Sequence, residues 1–342
     1  MASRMGALQR MRSVRWALVG ALCLCSLGCA STLQFTRLGA AARASGNVVT
    51  FFTVDDGDGK PVTGLHAQDF ALYEDGRRLA PVTARPTLVD PTLAATHSTL
   101  LLVDMGTSAR AGDQLEAITR GVRDFVRQVS SAERVAVYAF DGARSVYEIL
   151  PFAAHGSAAL HSLERLRTFE MRDPATNLNG AVLQSLTELE RELRETNAPL
   201  QFGTLVLFTD GSDRANRVPY QQVIDAIEAS PNRVYALGMG HEVDDSMLSR
   251  LGKNAYLRID DTEALGIAFQ QIADQIVRFA RRQYLLSYCS DAPPGPHTLG
   301  IEATFAGERG RLIVPFTARP DGSVCDAAHP APLDLSARPG AP

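Results

Sequence analysis

From Thr96 to Arg281 the chain alternates short apolar runs with segments of helical period, and few architectures accommodate that rhythm. "STLLLVD", "ERVAVYAFDG", "GTLVLFTDG" and "RVYALGMG" carry apolar side chains at consecutive positions. Such strands need cover on both faces. "DQLEAITRGVRDFVRQV" places Leu115, Ile118, Val122, Phe125, Val126 and Val129 at helical spacing. "SAALHSLERLR", "NGAVLQSLTELERELRET", "VPYQQVIDAIEAS", "DDSMLSRLG" and "TEALGIAFQQIADQIVRFA" read as further helices, with Pro219 near the first turn of the third. "SVYEILPF" reads as an edge strand and "AYLRI" as a last strand. The alternation predicts an α/β domain over 96–281, built on a doubly wound, mostly parallel sheet with helices on both faces.

On either side the pattern turns to β. "NVVTFFTVDDGDGKPVTGL" and "QDFALYEDGRRLAPVTARP" each read as strand, Gly/Asp turn and strand. This segment, 47–95, would bury too little alone. "RQYLLSYCS", "HTLGIEATFA" and "GRLIVPFTA" form a second β segment over 282–326. The two are expected to complete one small β-sandwich into which the α/β domain is inserted. Residues 30–46, small and polar, read as a tether. Residues 327–342, rich in Pro and Ala, read as a disordered tail.

Arg4, Arg10, Arg12 and Arg15 precede "WALVGALCLCSLG", which is short for a membrane span and has the layout of an export signal over 1–29. Small residues before Cys29 resemble a bacterial lipobox, which would make Cys29 the lipidated first residue of a membrane-anchored lipoprotein, in the periplasm or at the cell surface. Ser26 stands where such boxes carry Leu, and cleavage after Ala30 or Ala44 would instead release a soluble secreted chain. Of the five cysteines, Cys289 and Cys325 remain in the mature chain. An even pair in an exported chain predicts a disulfide. The net charge of −4 carries no basic excess, so nothing points to nucleic acid.

Ligands of open α/β sheets bind at the carboxyl ends of the strands. "STLLLVD" ends at Asp104, followed by Gly106, Thr107 and Ser108. "LVLFT" runs into Asp210-Gly211-Ser212-Asp213, and "DPATNLNGAV" puts Thr176 just before a helix. Singly, each residue has a plain role: Asp104 and Asp210 in turns, Ser108 and Thr176 or Asn177 as helix caps, Asp213 as a solvated loop charge. Together they are hard oxygen donors without His or Cys, which suit Mg²⁺ or Mn²⁺ better than zinc.

In this order and strand context the residues resemble the von Willebrand factor type A domain. That family carries a metal-ion-dependent adhesion site with the pattern D-x-S-x-S, a distant Thr and a distant Asp in a T-D-G turn. Asp104 and Ser108 match the first Asp and second Ser. Thr176 matches the Thr within "TNLNGA", and Asp210 the last Asp within "LFTDG". Gly106 occupies the place of the first Ser, a position that is a direct ligand in the family, so the site is partly degenerate. "VTGLHAQDFALYEDG" is similar to secreted bacterial proteins related to this domain, and the resemblance covers roughly residues 47–320.

The resemblance implies a binding module of the cell envelope that is not an enzyme. A cation held by Asp104, Ser108, Thr176 and Asp210 would keep one coordination position open for an Asp or Glu carboxylate of a protein partner. Gly106 favours an alternative, a structural or assembly subunit of an envelope complex that needs no metal. A hydrolase using Ser108 or Ser212 has little support, because no base is placed by sequence. "GMGHE" (238–242) lacks the third glycine of a dinucleotide fingerprint.

Overall fold

The computed structural model describes residues 32–110, 112–153, 157–240 and 243–333. The expected export signal, Cys29 and His241 lie outside them. Two strands open the described chain, β1 (Gln34–Ala42) and β2 (Asn47–Asp55), followed by β3 (Phe70–Glu74), β4 (Arg77–Arg78), the single turn α1 (Pro81–Ala84) and β5 (Thr87–Val89). The α/β unit then runs β6 (Ala95–Asp104), α2 (Gln114–Val129), β7 (Arg134–Phe140), β8 (Tyr147–Ala153), α3 (Ser157–Ser162), α4 (Leu178–Glu195), β9 (Leu200–Thr209), α5 (Tyr220–Ala229), β10 (Arg233–Met239), α6 (Asp245–Leu251), β11 (Ala255–Ile259) and α7 (Thr262–Arg281). The chain closes with β12 (Gln283–Cys289), β13 (Gly295–Phe305) and β14 (Glu308–Ala318).

The α/β unit is a six-stranded sheet in the order β11-β10-β9-β6-β7-β8. Every pairing is parallel except β7–β8, so the strand expected at an edge is there and runs antiparallel. Period-two alternation divides the strands between two cores. Leu101 and Val103 face α2 and α7, packing with Ile118, Val122, Phe125, Phe269 and Ile272. Leu100 and Leu102 face α4, α5 and α6, packing with Val182, Leu189, Ile224 and Leu248. The sheet is buried on both sides, which is why its strands read as unbroken apolar runs.

The outer segments form two four-stranded sheets, β1-β2-β12-β5 and β14-β13-β3-β4. Residues from before and after the α/β unit therefore hydrogen-bond in the same sheets: β2 with β12 and β3 with β13. Phe52, Tyr284 and Leu286 from the first sheet meet Phe70, Leu72, Ile301 and Val314 from the second. The first sheet's other face is covered as well, with Val49, Phe51 and Leu285 packed against Ala94, Ala95, Leu200 and Phe202. β2 and β12 lie inside a three-layer stack, and each is buried almost throughout.

Three sequence expectations need correction. Residues 34–42 are not tether but strand β1, paired along its length with β2. Small side chains hid it: Gly39 to Ala42 give little hydrophobic signal, yet backbone pairing with an apolar neighbour needs none. The tail is ordered as far as 333. Ala331 is buried, its N–H donates to Asn47 Oδ1 at 2.8 Å, and Leu333 packs beside it. The hairpins expected in 47–95 are also slighter than read. The partner of β3 is only the two-residue β4, and the Gly/Asp turn after β2 leads to one isolated bridge, Asp55 with Pro61.

Two chain crossings link the sandwich to the α/β unit, one before β6 and one between α7 and β12. They lie side by side, since His97 Nε2 and Gln283 Oε1 are 2.8 Å apart. The predicted disulfide is present, joining the end of β12 to the segment after β14 through Cys289 and Cys325, with Cα atoms 5.8 Å apart.

Candidate functional site

β6 is the inner strand of the parallel sheet, and β9 lies beside it in register, Val103 opposite Phe208. Parallel pairing brings their carboxyl ends to one rim, with Asp104 closing β6 and Asp210 following Thr209 of β9. Asp104 is fully buried and Asp210 nearly so. The two ends are bonded together: Thr209 Oγ1 donates to Asp104 Oδ2 at 2.6 Å.

Ser108 begins the 3₁₀ turn that leads towards α2. Its hydroxyl donates to Asp210 Oδ1 at 2.7 Å, across an interval of a hundred residues. Thr176 approaches from the loop before α4, where its carbonyl accepts from Ala215 N–H at 2.9 Å. A Cβ placed on Gly106 would lie 3.1 Å from Asp104 Oδ1 and 3.4 Å from Thr176 Oγ1. Both oxygens therefore border the space that Gly106 leaves free. Asp104, Ser108, Thr176 and Asp210 thus come together at one end of one sheet.

Three further residues build the rim. Gln114, the first residue of α2, donates from its amide to Asp210 Oδ2 at 2.9 Å. Thr209 bridges the strand ends as described. Asp141, buried just after β7, accepts the N–H groups of Ala143 and Arg172, at 2.8 and 2.7 Å, while its carbonyl accepts from Asn177. It thereby fixes both ends of the loop carrying Thr176. The sequence reading passed over Asp141, although "AVYAFD" ends on a carboxylate as "LLLVD" does. Gln114 gave no sequence signal beyond heading a helix.

Asp213 is not a solvated charge. It is partly buried, and it accepts the backbone N–H and side-chain amide of Asn179, both at 3.2 Å, so it steadies the start of α4.

Burial pushes the Asp104 carboxyl up to about 7, helped by the negative charge of Asp210 and then of Asp141. The bonds from Thr209 and Gly106 oppose this only in part. Two carboxylates packed at one rim create local negative potential that a cation would relieve. Among the described residues no three His, Cys, Asp or Glu side chains converge as a metal-binding group. The donors here are two carboxylates and two hydroxyls. Each carboxylate oxygen can accept more than one bond, so existing partners leave capacity for a hard divalent ion.

A family model described as von Willebrand factor type A domain matches residues 98–255. Those residues are a von Willebrand factor type A domain. The match begins in β6 and ends at the start of β11, so it contains all four candidate residues of the A domain. No curated protein matches the chain in sequence. Among solved structures, a von Willebrand factor type A protein from Catenulispora acidiphila is 11% identical, with 85% of this chain and 74% of that one covered, at a TM-score of 0.47. Proximal thread matrix protein 1 from the mussel byssus, with a zinc-occupied adhesion-site motif, is 16% identical over 54% of this chain and 48% of that one, at a TM-score of 0.44. BatB from Bacteroides thetaiotaomicron is 16% identical over 54% of this chain and 99% of that one, at a TM-score of 0.41.

Proposed function

We propose that the A domain is a binding module that holds a divalent cation at its rim and docks a protein partner through it. The observation that carries this reading is the convergence of Asp104, Ser108, Thr176 and Asp210 on the carboxyl ends of β6 and β9. Mg²⁺ or Mn²⁺ suits such donors, and water would replace the hydroxyl that Gly106 lacks. A cation held there would supply a point of positive charge, to which an Asp or Glu carboxylate of the partner is the complementary group. No turnover is required, and the chain is read as an adhesion protein and not as an enzyme. An export signal over 1–29 with lipidation at Cys29 would support this reading by holding the chain in the cell envelope on a lipid anchor.

Cation titration of the purified chain tests the metal. Mg²⁺ or Mn²⁺ at millimolar concentration should raise the melting temperature of the native protein. Asp210→Ala should abolish that rise, whatever it does to the metal-free baseline. An unchanged rise in the variant refutes the cation site.

One observation favours a second reading, a metal-independent assembly subunit. Gly106, Thr209, Ser108 and Gln114 already donate to all four oxygens of Asp104 and Asp210. Partner capture from an envelope extract that persists in EDTA selects this reading over the first.

A further inference from the structure

A second candidate site lies near the opposite ends of the strands, where the A domain meets the sandwich. A cleft of about 670 Å³ opens there between the turn after β2, the first residue of β10 and the last turns of α7. Four cationic side chains line it: Lys60, Arg233, Arg278 and Arg282. Arg233 and Arg282 lie over one ring, their guanidinium carbons 4.1 and 4.7 Å from the centroid of Phe279. Phe279 is thus a half-buried platform for two like charges.

The local carboxylates compensate this charge only in part: Glu133 acts on Arg233 from outside ion-pair distance. Asp55 takes Arg282, with bonds of 2.9 and 3.1 Å. Asp56 lines the cleft, but its Oδ1 already accepts the backbone N–H groups of Asp58 and Lys60. Among the described residues Lys60 has only Asp58, at 3.8 Å on the exposed turn. Among the described residues neither Arg233 nor Arg278 forms an ion pair. Arg233 Nη1 and Arg282 Nε are buried without a hydrogen-bond partner. Burial lowers the Arg233 pKa, against an opposing pull from Tyr235; the neighbouring Arg282 charge adds to the lowering and the Glu133 carboxylate opposes it.

Helix polarity accounts for part of the cluster, since Arg278 and Arg281 sit in the last turn of α7, where cations are favoured. It does not account for Arg233, which β10 delivers, or for Lys60, which the β2 turn delivers. A guanidinium held in a half-buried site with no carboxylate in ion-pair contact is costly, and an oxyanion in the cleft would offset that cost. Planar guanidinium forks match the geometry of a tetrahedral oxyanion, which is the ligand this charge favours.

We propose that this cleft binds a phosphate-bearing ligand, gripped by Arg233, Arg278 and Lys60. The site is independent of the cation rim. A phosphate monoester could arrive on a free solute or on a lipid headgroup, and the two sources share this chemistry.

Titration calorimetry of the purified chain with inorganic pyrophosphate, and separately with water-soluble dihexanoyl phosphatidate, tests the proposal. The salt should be about 0.15 M, so that diffuse surface attraction is screened. Saturable binding is expected, weakened about tenfold or more in the Lys60→Gln, Arg278→Gln double variant. Both substituted residues are exposed, so folding should survive, as circular dichroism will verify. Asp210→Ala should bind phosphate as the native protein does. Comparable binding of the two probes assigns a free solute, and a marked preference for phosphatidate assigns a lipid headgroup. No saturable heat with either probe, or the same isotherm in the double variant, overturns the proposal.

Discussion

At the residue scale, Gly106 decides how strongly the rim can hold a cation. Its backbone is ordinary, and a side chain there would point between Asp104 Oδ1 and Thr176 Oγ1, with contacts of 3.1 and 3.4 Å. Gly106→Ser would put a hydroxyl where the family pattern has one, with the neighbours giving by a few tenths of an ångström. The variant should therefore show a larger Mg²⁺-induced rise in melting temperature than the native chain. An equal or smaller rise would mean that the missing hydroxyl does not limit the site. A second residue-scale prediction concerns pH. His297 Nδ1 lies 2.6 Å from Asp75 Oδ2, at the turn where β3 meets β13. The bond to Asp75 raises the His297 pKa above 6.5, and the bond from His297 holds Asp75 below 3.8. The imidazolium contribution is complete below 6.5 and disappears as pH rises through the raised His297 pKa. The carboxylate contribution is complete above 3.8 and disappears as pH falls through the lowered Asp75 value. His297→Gln should cost most stability near pH 5 and progressively less in alkaline solution, measured as thermal midpoints across that range.

At the element scale, the strands show what sequence can and cannot disclose. β6, β7, β9 and β10 were legible because burial on both faces demands unbroken apolar runs. So was the rim, because parallel strands put Asp104 and Asp210 at the same end whatever the loops do. β1 was not legible, since its contribution is backbone pairing and its side chains are small. Gln114 was not legible either, because a hydrogen bond from the start of a helix to a distant strand end leaves no periodic trace. The ordered 327–333 segment escaped notice for another reason: Pro and Ala carry little hydrophobic signal, and one bond from Ala331 to Asn47 and the nearby disulfide hold it. That disulfide closes a loop of 36 residues. The chain-entropy relation assigns such a crosslink about 4 kcal/mol. Reduction, or a Cys289→Ala, Cys325→Ala double variant, should lower the denaturant midpoint correspondingly, with the β14 edge and the 327–333 segment losing amide protection first.

At the scale of the whole molecule, the first sandwich sheet belongs to two cores at once. Phe51 faces Leu200 and the start of β6, while its neighbour Phe52 faces the second sheet. Such sharing predicts that sandwich and A domain unfold together. Phe51→Ala should cost about 3–5 kcal/mol, as expected for a fully buried aromatic side chain. Scanning calorimetry should still show one transition at lower temperature, whereas two separated transitions would show that the layers are energetically independent. The side-by-side crossings at His97 and Gln283 have a different consequence. A polypeptide that leaves a scaffold and comes back at the same spot places no demand on the distance between its ends. The scaffold's strand pairs can therefore stay in register while the excursion between them is lengthened, trimmed or replaced, which makes the A domain an exchangeable cassette.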